Sequence, residues 1–254
     1  MKIKEAFQFI LLCSFTMLLA VLSTPAMAAG INCLKCHGKL TIGKSVHKAL
    51  NMGCPTCHSG IDAKTVPHKK TNALPNGISS DQPDLCFGCH DKSMFEKKNV
   101  HAAVGMGCTG CHNPHSSKNP KLLKSAVPLL CFSCHDKAGF SKQNVHPPVA
   151  SGECTTCHSP HSSDNMALLT NKPIEVCLQC HPDTPHGSHI SPRPKEQNEQ
   201  SKGTSTVSEP QDPKRPGKPF YCGSCHDPHS TDGPMLFRFN AQSMQELCVN
   251  CHKF

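Results

Sequence analysis

The chain carries pairs of cysteines separated by two residues, and a histidine directly follows the second cysteine of every such pair. Two thiols at this spacing can form thioether bonds to the two vinyl groups on one edge of a porphyrin, while the histidine binds the iron. This CxxCH frame occurs nine times. A random chain of the same composition would contain about a tenth of one frame. We therefore predict nine covalently attached c-type haems, with the frames numbered 1 to 9 in chain order.

The frames define the predicted attachment residues. The cysteines predicted to form thioethers are Cys33, Cys36, Cys54, Cys57, Cys86, Cys89, Cys108, Cys111, Cys131, Cys134, Cys154, Cys157, Cys177, Cys180, Cys222, Cys225, Cys248 and Cys251. The proximal iron ligands are predicted to be His37, His58, His90, His112, His135, His158, His181, His226 and His252.

Three other kinds of site could also use paired cysteines. A zinc site would pair two CxxC knuckles, but zinc does not require a histidine after each of them. A thioredoxin-like redox motif would occur once, between a strand and a helix. A disulfide framework is common in exported proteins, but it would not repeat the histidine. The regular histidine therefore favours haem over all three.

The other histidines predict the second axial ligands. The chain has 18 histidines, so nine remain outside the frames: His47, His68, His101, His115, His146, His161, His186, His189 and His229. Because iron has two axial positions, nine haems closed by histidine on both faces would use the whole set. His161 lies only three residues after His158, so its short tether should prevent it from reaching the opposite face of the same haem. We expect His161, and likewise His115 and His229, to bind a different haem.

The elements that must position these ligands repeat along the chain. The segments from Leu85 and Leu130 are copies of one two-haem unit, 45 residues apart, and each contains a histidine eleven residues after its first frame and a PH dipeptide after its second. We divide the chain into an N-terminal two-haem unit (30–84), two repeated units (85–176) and a C-terminal three-haem unit (177–254). Short helices are predicted at the odd-numbered frames, where Asp84, Pro173 and the sequence SMQE (243–246) give helix-start signals.

The composition predicts that porphyrins, rather than side chains, fill the interior. The chain has no Trp, one Tyr and 22 Pro, and it is poor in branched aliphatic residues. The predicted fold class is a multihaem cytochrome c, in which short α-helices and irregular loops wrap around a chain of haems with little or no β-structure. Residues 182–219 contain eight prolines and almost no large apolar side chain, so we expect an exposed insertion, with a partner-docking role as the alternative.

The N-terminus predicts export. Lys2 and Lys4 precede an apolar run from Phe7 to Leu22, and the small residues AMA follow Pro25. This pattern is typical of a secretory signal peptide over residues 1–29, with an uncleaved anchor as the alternative. The formal charge of +8 alone would suggest an anionic partner. The propionates of nine haems would outweigh that charge, and no basic face with stacking aromatics supports nucleic-acid binding.

The repeated CxxCH, PHSS and LCxxCH pattern resembles that of the doubled-CXXCH multihaem cytochromes over nearly all of the chain after residue 29. It is also similar to the decahaem subunits of porin–cytochrome conduits, although nine frames and the long insertion depart from them. The resemblance implies electron transfer in anaerobic or extracellular respiration, in the periplasm or at the outer membrane. Its implied partners are quinol-oxidising inner-membrane cytochromes, outer-membrane or extracellular cytochromes, and an outer-membrane porin.

Two further functions stay open at the level of sequence. A multihaem reductase of a small nitrogen or sulfur oxyanion would need an open iron position, and two histidine ligands per iron argue against it. A structural cytochrome could form filaments or plug a porin, since frame 9 ends two residues before the C-terminus. We favour an electron carrier that is not an enzyme.

Overall fold

The computed structural model describes residues 31–183 and 211–253. The predicted signal peptide, most of the predicted insertion, and both His186 and His189 lie outside these ranges. Within the described residues, no helix is both long and apolar enough to cross a membrane.

The described helices are very short, and most of them lie at the frames. The α-helices are α1 (Leu34–His37), α2 (Asp84–Phe87), α3 (Leu129–Phe132), α4 (Pro147–Ala150), α5 (Cys154–Cys157), α6 (Pro173–Leu178), α7 (Cys222–Cys225) and α8 (Met244–Cys248). Turns of 3₁₀-helix occupy Gly38–Thr41, Lys48–Met52, Cys54–Thr56, Pro75–Gly77, Lys92–Phe95, Ala102–Met106, Cys108–Gly110, Pro120–Leu122, Lys137–Phe140, Met166–Leu168, Pro234–Leu236 and Arg238–Asn240. This architecture confirms the predicted fold class.

The helices predicted at the odd-numbered frames are present as α2, α6 and α8. At the start of α8, the Ser243 hydroxyl accepts a hydrogen bond from the Glu246 N–H. The Glu246 carboxylate accepts from the N–H of Gln242 at 2.7 Å, one residue earlier than a capping box predicts. Helix α6 begins at Pro173, where the missing N–H costs no helical hydrogen bond.

The strands are two residues long and form four antiparallel pairs. They are β1 (Ser45–Val46), β2 (Ile61–Asp62), β3 (Lys69–Lys70), β4 (Asn99–Val100), β5 (Ser116–Ser117), β6 (Asn144–Val145), β7 (Ser162–Ser163) and β8 (Ser230–Thr231). Strand β2 pairs with β3 in one hairpin, whereas β1 pairs with β5, β4 with β7, and β6 with β8. The last three pairs join neighbouring units, and each brings the residues before one histidine against the residues after a PH dipeptide.

Buried hydroxyl groups complete these short junctions. Ser162 and Ser230 are 1% and 0% exposed. The Ser162 hydroxyl donates to the Met94 carbonyl at 2.8 Å, and the Ser230 hydroxyl donates to the Gly139 carbonyl at 3.0 Å. A two-residue strand satisfies few backbone groups, so side-chain hydroxyls take the remaining hydrogen bonds. This accounts for the serine after each PH dipeptide.

The polypeptide forms almost no apolar core of its own. Among the described residues, the buried apolar side chains are Phe237, Ala241 and Leu247. Large apolar side chains elsewhere are open, with Ile42 78% and Val66 87% exposed. So little burial would not offset the conformational entropy lost on folding. A large apolar group other than a side chain is needed, as the composition predicts.

The described end of the predicted insertion, residues 211–219, is mostly exposed but is anchored at one buried residue. Residues 211–219 are ordered, and the Asp212 side chain is only 2% exposed. Its carboxylate accepts from Arg215 Nε at 2.7 Å and lies 3.4 Å from Arg238 Nη1. Arg238 also donates to the Ser224 carbonyl in α7 at 3.0 Å. This ion cluster fixes residues 211–219 to frame 8, an effect that composition does not reveal.

Candidate haem-binding sites

The eighteen cysteines of the nine frames form no disulfide bond with one another, and those of each frame lie on or beside one helical turn. Helices α2, α3, α6 and α8 start before the first cysteine of an odd-numbered frame and include it. Frames 2, 4, 6 and 8 instead start a turn at their first cysteine. One turn keeps both thiols and the following histidine on a continuous surface, as attachment to one porphyrin edge requires.

Seven frame histidines face a second histidine across a narrow gap. The pairs are His37 with His68, His58 with His115, His90 with His47, His112 with His161, His135 with His101, His158 with His229, and His181 with His146. Their ring centroids are 5.9 to 6.2 Å apart, and the interplanar angles lie between 12° and 38°.

This spacing fits an iron held between two imidazoles. A metal–imidazole bond of about 2.0–2.1 Å, plus roughly 1.2 Å from the nitrogen to the ring centre, places two opposed rings about 6.4 to 6.6 Å apart, a few tenths of an ångström more than the distances between these pairs. Rings in direct van der Waals contact would be closer, and unrelated rings would not keep one distance over seven pairs. The pairs therefore match the axial ligands of a haem iron, and the thiols of each frame lie beside one ring of the pair.

The pairing crosses between units in a regular pattern. His161 faces His112 at 6.0 Å rather than His158 of its own frame, as the tether argument expects. Frames 2, 4 and 6 pair with the PH histidine of the following unit, whereas frames 3, 5 and 7 pair with the histidine that ends a strand in the preceding unit. Frame 1 differs, since His37 pairs with His68 on the hairpin of its own unit.

Backbone carbonyls determine which nitrogen of several rings is free for iron. His47, His101 and His146 have Nδ1 at 2.8, 2.9 and 3.0 Å from the carbonyl oxygens of Pro114, Pro160 and Pro228. A carbonyl oxygen only accepts, so Nδ1 must carry the proton and donate it. Nε2 then keeps its lone pair for a metal, and the hydrogen bond makes it a stronger donor to the metal.

In the even-numbered frames, a carbonyl in a left-handed turn likewise accepts from Nδ1 of the proximal histidine and leaves its Nε2 free for iron. His58, His112, His158 and His226 donate from Nδ1 at 2.8–2.9 Å to a carbonyl in the turn that follows. The residues that carry these carbonyls are Asn76, Lys121, Ala167 and Met235, with φ between 51° and 54°. Left-handed backbone is unfavourable for residues other than glycine and asparagine. The left-handed conformation nevertheless occurs at Lys121, Ala167 and Met235, and the carbonyl of each of these residues accepts the hydrogen bond from a frame histidine.

Sequence reasoning missed these turns. Only Asn76–Gly77 has the residue types that left-handed turns prefer, and the equivalent positions are Lys121–Leu122, Ala167–Leu168 and Met235–Leu236. Aligning the later repeats with the sequence PNG at residues 75–77 would have indicated a left-handed turn at the equivalent positions. Phe87 and Phe132, inside frames 3 and 5, contact Phe95 and Phe140 at centroid distances of 5.4 and 5.6 Å.

Burial keeps the crossed ligands neutral. Burial lowers the pKa of His161, and the charges of His112 and His101 lower it further. Burial likewise lowers the pKa of His115 and of His229. The Phe95 and Phe140 rings lie 4.6 and 4.8 Å from His161 and His229. Only the neutral imidazole can bind a metal through Nε2, so this environment favours ligation near neutral pH.

Where the pKa of a described cysteine is shifted by a cysteine of another frame, the two frames are consecutive in the chain, which indicates that consecutive frames lie side by side. Burial, then Cys108 and Cys57, raise the pKa of Cys86 to about 11. Cys222 raises the pKa of Cys177 through a hydrogen bond. Thioether sulfurs do not titrate, so these pKa shifts indicate only which cysteines lie close together. The neighbouring thiols are Cys33/Cys54, Cys57/Cys86, Cys86/Cys108, Cys111/Cys131, Cys131/Cys154, Cys157/Cys180, Cys177/Cys222 and Cys225/Cys248.

Two frames have second ligands that the described residues do not show. His226 packs against Phe237 at 5.6 Å and donates to the Met235 carbonyl. His252 ends frame 9, and His186 and His189, the two histidines without a described position, lie outside the described ranges.

Comparison with known families gives four matches to the family described as the doubled CXXCH motif, at residues 47–95, 101–140, 146–186 and 215–254. No curated protein matches the chain. Each of the first three matched spans begins at a strand-end histidine and contains the odd-numbered frame with which that histidine pairs, as His101 pairs with His135. The even-numbered frame in the same span pairs with the next span.

Proposed function

The chain belongs to the doubled CXXCH motif family and is a multihaem c-type cytochrome, and from this premise we propose that it carries electrons along nine haems, each closed by two histidines. The observation that carries the proposal is the set of seven imidazole pairs at 5.9 to 6.2 Å, arranged in chain order. When bound, each haem supplies an iron that alternates between ferric and ferrous states.

The protein's own residues suit electron transfer better than catalysis. The two imidazoles of each pair would hold an iron from both sides, which would leave no vacant position for a substrate. The Nδ1–H hydrogen bonds to carbonyls fix each ring and raise its donor strength, which favours the oxidised metal and a low potential. Histidine in place of methionine acts in the same direction. The chain therefore fits a low-potential electron carrier without reductase activity.

His186 and His189 are proposed as the second ligands of frames 8 and 9. They are the only histidines left for two irons once the seven pairs are assigned. In the repeat, His101 and His146 each follow one odd-numbered frame by eleven residues and pair with the next odd-numbered frame. His189 follows frame 7 by eight residues and is therefore assigned to frame 9. His186 is then assigned to frame 8.

The signal peptide supports export, and we place the protein in the periplasm, with association with the outer membrane or the cell exterior as the further possibility. The partners proposed are other redox proteins: quinol-oxidising cytochromes of the inner membrane on one side, and outer-membrane or extracellular cytochromes or a porin on the other. Anaerobic or extracellular respiration is the setting that low potentials support.

The pyridine haemochrome assay, combined with the intact mass of the exported protein, tests the haem number. We expect nine haems per chain, and a lower value would refute the number nine. Electron paramagnetic resonance of the ferric protein tests the ligands, and we expect low-spin signals alone. A high-spin signal that shifts with nitrite would instead favour the reductase. Cell fractionation, with a search for a co-purifying outer-membrane barrel, tests the location.

A further inference from the structure

Distal ligands of neighbouring sites are hydrogen-bonded to one another at three places. The backbone N–H of His101 donates to the carbonyl of His161 at 2.8 Å, and His101 Nδ1 donates to the carbonyl of Pro160 at 2.9 Å. The same two bonds join His47 to Pro114–His115 at 2.8 and 2.8 Å. They also join His146 to Pro228–His229 at 3.0 and 3.0 Å. The arrangement is therefore a repeated feature of the fold.

Each of these contacts connects two different iron sites. His101 faces His135 of frame 5, and His161 faces His112 of frame 4. Between the two rings lie one hydrogen bond and the Pro160–His161 peptide group. The other two contacts connect frame 3 with frame 2 and frame 7 with frame 6 in the same way.

We propose that the Pro114–His115, Pro160–His161 and Pro228–His229 peptide groups are redox-coupling bridges, through which the oxidation state of one iron site changes the ligand strength at its neighbour. The inference rests on the proposed closure of each site by two histidines. The proline carbonyls are positioning groups, because they act on the metal through the ring that donates to them.

The physical basis is the polarity of a metal-bound imidazole. A ferric iron withdraws more electron density from the ring than a ferrous iron, so the Nδ1–H is a stronger donor in the oxidised state. A stronger hydrogen bond polarises the proline carbonyl, which belongs to the same amide as the backbone nitrogen of the next histidine. Oxidation of frame 5 is therefore transmitted to the residue that ligates frame 4.

A bond that only orients the ring would give the same structure but a different response. It would leave the proline carbonyl with the same polarity in both oxidation states. A vibrational measurement of that carbonyl therefore separates coupling from orientation. Redox-difference infrared spectroscopy of full-length protein labelled with ¹³C at proline carbonyls is such a measurement. We expect proline-carbonyl difference bands, and their absence would overturn the proposal.

Replacement of single histidines by Nδ1-methylhistidine assigns the bands, since this residue keeps Nε2 for iron but has no Nδ1–H. At position 101 it should remove about a third of the proline-carbonyl difference intensity and raise the potential of at least one site. The matched control is the same replacement at position 161, whose Nδ1 has no carbonyl partner among the described residues. Equal effects at 101 and 161, or none at 101, would overturn the bridge.

The same samples distinguish the failure of the bridge from the failure of the proposed function. Nine haems with low-spin signals but no proline bands would refute the bridge alone. High-spin signals in the unmodified protein would refute the closure by two histidines. If the methyl group at position 101 displaces the ligand from the iron, the same replacement at position 146 provides the test at Pro228. The unmodified protein provides an independent test, because it either shows or lacks the proline-carbonyl difference bands.

Discussion

Replacing His161 with alanine tests the crossed ligation directly. His161 faces His112 at 6.0 Å, so its loss should open one iron, that of frame 4. No described imidazole can replace it, because His115, the nearest along the chain, already faces His58 at 5.9 Å. The junction itself should survive, since His101 binds the backbone carbonyl of residue 161 rather than its side chain.

The expected size of the effect follows from the haem count. One open site among nine should convert about a ninth of the ferric iron from low spin to high spin, and added imidazole should reverse the change. Electron paramagnetic resonance with spin quantification measures it. Phe95→Leu is the control, because it removes the ring that packs on His161 at 4.6 Å but keeps the ligand, so it should stay fully low-spin.

Combining His161→Ala with the loss of a frame identifies the affected iron. Cys108→Ala and Cys111→Ala together should prevent attachment at frame 4, so the triple variant should hold eight haems and show no high-spin signal. Replacing Cys154 and Cys157 instead should remove frame 6 and leave the high-spin signal in place. The opposite result would show that His161 ligates its own frame and would refute the pairing.

Two smaller changes test the elements around the sites. Ala167→Gly should raise the free energy of unfolding of the holoprotein by about 0.5–1 kcal/mol, because glycine relieves the left-handed strain at φ 51°, whereas Ala150→Gly at the end of α4 should lower it. Asp212→Asn should cost about 2–3 kcal/mol at pH 7 in urea unfolding, against little for the exposed Glu153→Gln. Burial alone would raise the pKa of Asp212, but the hydrogen bonds from Arg215, Lys214 and Ser224 outweigh it and lower the pKa. A carboxyl with a lowered folded pKa stabilises above its unfolded pKa of about 3.9 and loses this as pH falls below it, so the two proteins should converge in acid; a constant difference would contradict this.

The sequence predicts the ligands better than their partners. The frames and the remaining histidines follow from covalent spacing and from counting, which are local properties. The partner of His161 depends on the pairing of β4 with β7, and two-residue strands carry no readable pattern. The tether argument could exclude His158, but only the fold selects His112 from the other frames.

The unit boundaries could not be deduced from the sequence for a related reason. A periodic sequence can be divided at any point of its period, and the division at Leu85 and Leu130 follows the frames. The pairing instead favours a division at His47, His101 and His146, because each such segment closes its odd-numbered site internally. The anchoring of residues 211–219 could not be deduced for a different reason, since the Asp212 ion cluster connects residues far apart in sequence.

The exchange of ligands between neighbours also predicts that whole repeats can be removed without opening a site. Deletion of residues 101–145 joins Val100 to His146, which restores the NVH sequence, and frees His161 to take the place of His115 opposite His58. Seven frames and fourteen histidines remain, so we expect seven haems and low-spin signals alone. Deletion of 101–115 leaves eight frames but only fifteen histidines, one fewer than eight closed sites need, so it should show at least one high-spin iron. A high-spin signal in the first variant would mean that ligands are specific to their frames rather than to their place in the repeat.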